Sequence, residues 1–185
     1  MSVEWILIRG SGVVAFALLA AATIWGLLVS SKLLGRIVKA KPLTWFHESL
    51  GIGALIATLV HVVVLSTHDF LDFSWTEILL PGASDWRPLA VALGVVSLYG
   101  LVVVVGSFYV KRWIGQKMWR AIHFASLGVF VSSLVHGVLA GTDTGNSWMI
   151  GLYLGSAIVV FSLIAHRLTG ETAIAKTPAR AKVGA

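Results

Sequence analysis

Four histidines have the types and spacing to do chemistry: His47 and His61, fourteen residues apart, and His123 and His136, thirteen apart. All four fall in long apolar stretches, where an ionisable side chain is costly and stands as a functional group by default. A helix rises 1.5 Å per residue, so each pair spans about 20 Å along its helix. On two helices running in the same direction, His47 and His123 share one depth and His61 and His136 another. A neutral imidazole is a strong axial ligand for haem iron, and helical bundles build cofactor sites from facing side chains. Two stacked haems, each held by two histidines, follow from that pattern. Zinc and di-iron sites need a tighter ligand cluster, often with Glu-x-x-His, and Glu48 is the one carboxylate near either level. The chain has no cysteine. That excludes disulfides, thiolate-bound iron–sulfur clusters, C-x-x-C-H haem attachment and a catalytic thiol, and leaves two non-covalent haem b groups as the cofactors expected.

The elements that must hold these residues are membrane helices. Of 185 residues 57% are apolar or aromatic and 12% charged, a charge share about half that of a soluble domain. Too much apolar surface for a soluble core also excludes disorder. About 20 apolar residues cross the hydrocarbon, and five stretches qualify, roughly 13–34, 47–67, 88–110, 121–140 and 148–165. The expected fold is an all-α polytopic membrane bundle of about five helices. Residues 1–167 form its transmembrane di-haem domain, and residues 168–185 a short, basic, flexible tail. The first stretch is too long for the apolar part of a secretory signal, and its flanking charge lies on the wrong side. No proline falls beyond the first turn of a span, with Pro42 read as a loop residue.

Twelve of the fourteen basic residues cluster in the segments after the first span, between the third and fourth, and after the fifth. Glu4, Asp69, Asp72, Glu77, Asp85 and Asp143 take the opposite side. Positive charge stays inside, so the N-terminus is placed outside and the C-terminus inside. Trp45, Trp113 and Trp119 belt the inner interface, Trp5, Trp75, Trp86 and Trp148 the outer one, and Trp25 alone falls mid-span. Topology and anionic lipid account for the net charge of +6 and remove the case for nucleic acid. Between the second and third spans, residues 68–87 carry Leu71, Trp75 and Ile78 at helical spacing. There Ser74-x-x-Glu77 reads as a capping box. No G-x-G-x-x-G or P-loop pattern and no room for a soluble domain are present, so electrons must come from a separate donor.

Small residues beside the ligands would admit a porphyrin: Gly51, Gly53, Ala54 and Ala57 on the second span, and Ser126, Gly128, Ser132, Ser133 and Gly137 on the fourth. Glycines and serines on the other spans need no more than close packing. Propionates at the interfaces would meet Lys117, Arg120 and Trp119 at the inner haem, and His68, Trp86 or Arg87 at the outer one. The azimuths are uneven. At about 100° per residue, fourteen residues return within roughly 40° of the start, whereas thirteen miss by about 140°. Either the two haems meet the fourth span at different azimuths, or that helix is locally irregular.

In these residues the chain resembles the ferric reductase-like transmembrane domain family, which includes eukaryotic NADPH oxidases, ferric reductases and the haem subunit of a bacterial periplasmic methionine sulfoxide reductase. The resemblance covers the second to fourth spans. It rests on the spacings His47/His61 and His123/His136 and on a basic, Trp-containing approach to the second ligand helix, Gly115 to His123. It implies that His47 and His123 bind the inner haem, that His61 and His136 bind the outer haem, and that electrons cross from a cytosolic donor to an acceptor on the far side. The family usually has six helices, and its oxidases carry a fused flavin and nicotinamide domain. With five spans and no such domain, this chain resembles the stand-alone bacterial branch. The expected protein is a b-type cytochrome of the bacterial inner membrane, taking electrons from a separate flavoprotein or quinol and passing them to a small-molecule or protein acceptor outside.

Two other readings use the same residues: a quinol-linked cytochrome b subunit of a larger complex, and a transporter in which intramembrane histidines relay protons. Singly, most residues also have a plain structural role. His68 reads as an interfacial histidine or a propionate contact, and His166 as a cation at the end of the last helix. Glu48 reads as an acid at a helix N-terminus or a proton acceptor. Phe130 reads as a packing residue or a bridge between the haems.

Overall fold

Long apolar runs in a bilayer leave the backbone no hydrogen-bond partner but itself, and the chain is helical accordingly. The structure, a computed structural model, describes residues 3–31, 40–67 and 73–175, with no strand among them. Its helices are α1 (Val3–Ser30), α2 (Ala40–Ser66), α3 (Trp75–Leu79), α4 (Pro88–Tyr109), α5 (Lys111–Phe124), α6 (Ser126–Ala140) and α7 (Ser147–Ala175). Among the described residues five stretches are long and apolar enough to cross a membrane, with α5 and α6 together forming the fourth. The protein is a polytopic membrane helix bundle. Its two ends are called outer and inner here after the charge asymmetry of the sequence, with the start of α1 at the outer end.

Four helices close into a ring in which α1 packs on α2, α2 on α4, α4 on α6 and α6 on α1, while α7 lies along α1. The two histidine-bearing units, α2 and α5–α6, therefore stand diagonally. A cavity opens between them toward the outer end, and two buried clusters hold the helices together. Leu19, Ala54, Leu101 and Val129 join the four ring helices. Phe16, Phe130, Met149, Tyr153 and Val160 lock α7 onto α1 and α6. Large apolar side chains such as Ile56, Val103, Ile158 and Phe161 are exposed around the bundle, as a lipid-facing surface requires.

The spans differ from the expected ones in informative ways. Helix α1 begins ten residues before position 13, taking in Arg9, which is paired with Asp143. A charge with a partner does not end a membrane helix. With that frame, Trp25 lies near the inner end and not mid-span: its indole N–H donates to the Leu43 carbonyl at 3.0 Å. Pro42 sits in the first turn of α2, where its missing N–H costs nothing. Helix α7 runs on to Ala175 because no proline intervenes before Pro178, so part of the stretch expected to be a flexible tail is helical. His166 is consequently an exposed residue well inside α7, without a helix C-terminus to complement. Its neighbour Arg167 reaches the Ser30 hydroxyl at 3.3 Å.

The Ser74–Glu77 capping box is present in full. Glu77 accepts from the Ser74 hydroxyl at 2.7 Å and from the Ser74 N–H at 3.0 Å. Those bonds from Ser74 hold the Glu77 carboxyl below its usual range. Leu71, the first residue of the expected amphipathic stripe, lies outside the described residues, whereas Ile78 is buried. Phe130 is fully buried and stacks on Phe16 with ring centroids 6.1 Å apart, the packing role. Phe130→Ala should lower bundle stability by about 3 kcal/mol or more through lost contacts, read as a fall in the detergent thermal-unfolding midpoint.

Candidate functional site: two histidine pairs across the bundle

The matching depths bring one histidine pair into ring contact and the other onto one cavity. At the inner level the rings of His47 and His123 lie 5.8 Å apart, centroid to centroid. That is near the roughly 6 Å that two imidazole–metal bonds of about 2 Å plus two ring radii would span. At the outer level His61 and His136 line one cavity of about 240 Å³ between the diagonal helices. No three His, Asp or Glu side chains converge to hold a metal ion among the described residues; Asp143 lines the outer cavity and Glu48 adjoins His47 at the inner level.

Each outer imidazole is held from behind by a backbone carbonyl of the neighbouring ring helix. His61 Nδ1 lies 2.9 Å from the Ile8 carbonyl on α1, and His136 Nδ1 lies 2.7 Å from the Ala90 carbonyl on α4. A carbonyl only accepts, so Nδ1 must carry the proton and Nε2 keeps its lone pair for a ligand. His47 Nδ1 is buried and turned toward the Ala22 carbonyl, without a hydrogen bond of normal geometry. Ile8 and Ala22 are fourteen residues apart on α1, matching His61 and His47 on the antiparallel α2.

Four residues beyond each carbonyl stands a glycine. A Cβ on Gly12 would meet the His61 ring at 3.1 Å, one on Gly26 the His47 Cε1 at 2.9 Å, and one on Gly94 the His136 Cε1 and Nδ1 at 2.7 Å. One helical turn thus supplies both the acceptor and the room for the ring. These glycines correct the reading that small residues on α1 and α4 serve packing alone. The expected small residues behave differently. Gly51 and Gly53 meet Val105 and Leu18, Gly128 faces open space, and Gly137 abuts the Tyr153 hydroxyl. Ser133 and Gly137 do line the outer cavity.

The fourth histidine is held otherwise. The Trp119 indole stacks on His123 at 5.1 Å, and the Lys111 ammonium sits 3.9 Å over the Trp119 ring. Trp119 Nε1 is buried with no hydrogen-bond partner. Two breaks set this local course. Gly115, at φ 80°, takes a left-handed conformation that turns the chain after Lys111–Ile114. At Ala125 the helix is interrupted, and its N–H is shared between the Ala121 and Ile122 carbonyls at 3.3 and 3.0 Å. The tighter turn rotates about 120° per residue instead of about 100°. The helix is thus locally irregular between His123 and His136.

The other expected contacts divide. Lys117 and Arg120 are exposed on α5, and Lys111 is the cation against the Trp119–His123 stack. Trp86 lines the outer cavity. Arg87, left-handed at φ 44°, caps the start of α4; its guanidinium covers the Trp86 ring at 4.9 Å and donates to the Leu139 carbonyl. It stands behind Trp86, outside the cavity wall. His68 lies outside the described residues. Glu48 is half-buried at the inner end, with the Tyr109 hydroxyl 3.5 Å from its carboxylate.

Comparison with protein-family models, with curated proteins and with solved structures gives no match to this chain.

Proposed function

We propose that the chain is a membrane-embedded b-type cytochrome that carries single electrons across the bilayer between two bis-histidine haem sites, His47/His123 at the inner level and His61/His136 at the outer. The observation that carries this reading is the backbone-anchored orientation of the outer histidines, which leaves Nε2 of each available on a shared cavity. Fit to haem is supported by three further features: the glycine-lined approach to three of the four rings, the lack of any converging group of three His, Asp or Glu among the described residues, and the buried Trp119 Nε1–H at the inner pair, which has no hydrogen-bond partner and could donate to a propionate. A bound haem supplies reversible one-electron chemistry at iron with no acid, base or nucleophile.

The protein's own work is orientation and exclusion of water. Ile8 and Ala90 fix the tautomers of His61 and His136, and such outer partners typically contribute 10–100-fold to metal affinity. Phe16, Leu19, Leu98 and Leu101 make the cavity wall apolar. Lys111 and Trp119 place a cation and an N–H donor at the inner end. The proposal includes the orientation, N-terminus outside, the bacterial inner membrane as location, a separate flavoprotein or quinol as donor, and an outer-side acceptor. It extends the resemblance to the stand-alone ferric reductase-like branch.

The test is transbilayer electron flow. In vesicles holding trapped ferricyanide, with dithionite added outside, the chain should bleach the trapped acceptor in proportion to its amount, and His61→Ala should abolish the effect. Bleaching no faster than in protein-free vesicles would refute the proposal; proton uptake driven by a pH gradient in a haem-free preparation would favour the histidine relay instead.

A further inference from the structure

Helix α5, which carries His123, has two faces. The one turned into the bundle holds the stack of Lys111, Trp119 and His123. On the other, Arg112, Trp113, Lys117, Met118 and Arg120 are exposed, Trp113 to 68% and Met118 to 55%. Cations and large apolar side chains interleave there, and the Arg112 guanidinium covers the Trp113 ring at 4.3 Å. The local charge is of one sign, because no Asp or Glu falls between Asp85 and Asp143. Of the eight acidic residues, Glu48 in α2 and Glu171 in α7 stand toward this end of the bundle. The backbone keeps the face at the bundle's end: Val110 alone separates α4 from α5, the left-handed Gly115 turns the chain between Trp113 and Lys117, and α5 packs on both α4 and α6. No loop carries these side chains out into solvent.

We propose that this outward face of α5 is an anchor for anionic lipid, with Arg112, Lys117 and Arg120 meeting headgroup phosphates at the membrane surface while Trp113 and Met118 enter the interface beside them. Long basic side chains lay their apolar stems on the bilayer and reach its charged layer with their tips, and an indole settles at headgroup depth. Basic residues beside a membrane helix are drawn to anionic headgroups for the same electrostatic reason. The interleaving decides between partners: an acidic soluble protein would complement the cations and leave Trp113 and Met118 in water, whereas an anionic bilayer surface takes both. The anchor uses no histidine and stands independently of the haem reading.

The experiment titrates the detergent-purified full chain with phosphatidylglycerol or with phosphatidylcholine and counts bound lipid per polypeptide by native mass spectrometry. The parent should hold phosphatidylglycerol about tenfold more tightly than phosphatidylcholine, and Arg112→Gln and Lys117→Gln should each lower the phosphatidylglycerol affinity by about fivefold. Arg112→Lys, which keeps the charge, should stay within about twofold of the parent, as should Arg167→Gln, which removes the same charge from α7, a helix outside the anchor. Equal affinity of the parent for both lipids would overturn the anchor and leave an acidic protein as the partner the charges fit; that comparison decides the matter even where a variant fails to accumulate. A loss in Arg167→Gln as large as in Arg112→Gln would also overturn it, by assigning the preference to net charge and not to this face.

Discussion

His136→Ala or His61→Ala is expected to remove the outer haem and leave the inner one, taking the purified chain from about two haems to about one. His47→Ala and His123→Ala are expected to do the converse. The effect is expected to be large because each haem would rest on a single histidine pair, and no group of three His, Asp or Glu converges among the described residues to replace a lost member. The expectation is also selective by depth, since the two levels are about 20 Å apart along α2. Haem content by extraction, together with the low-spin spectrum of what remains, reads both points. Full haem content in all four variants would show that the pairing is wrong.

A methyl group should have nearly as strong an effect as loss of a ligand at one position. Gly94→Ala would bring a Cβ to 2.7 Å from two atoms of the His136 ring. That ring cannot swing aside without giving up its 2.7 Å contact to the Ala90 carbonyl. The expected result is a fall in outer-haem affinity of about 10–100-fold, the range for disturbing a ligand's backing partner. Gly26→Ala, at 2.9 Å from His47 Cε1, should act on the inner haem, and Gly12→Ala, at 3.1 Å from the His61 ring, should weaken the outer haem less than Gly94→Ala does. Gly106→Ala and Gly128→Ala meet nothing within 4 Å and serve as controls that should leave both haems in place. Equal losses in the controls would assign the effect to helix packing in general, and unchanged haem in Gly94→Ala would remove the glycine cradle from the account.

Membrane character, the number of spans, the two histidine depths and the Ser74–Glu77 cap were all legible in the sequence, because each depends on side-chain type at a helical or local spacing. Three other features were hidden for a common reason. The anchors of the outer histidines are the main-chain carbonyls of Ile8 and Ala90, and a carbonyl has no residue signature. The diagonal placement of α2 and α6 is a property of the ring order, which spacing along one helix does not encode. The Arg9–Asp143 pair joins residues 134 apart, and Arg9 was visible only as an exception to the charge asymmetry. One signal was available: Gly12 and Gly26 repeat the fourteen-residue interval of His61 and His47. Helices that face one another in antiparallel register must share such an interval, and it marks α1 as the wall behind α2. The extension of α1 to Val3 has the same origin as Arg9, since a paired charge is tolerated where an isolated one would end the span.

The central claim is that four histidines hold two haems, and the reduced-minus-oxidised visible spectrum of the detergent-purified protein, with haem quantified per polypeptide, tests it most directly. The account predicts a low-spin b-type spectrum at about two haems per chain, as bis-histidine ligation requires. A colourless protein purified from haem-replete cells would contradict it.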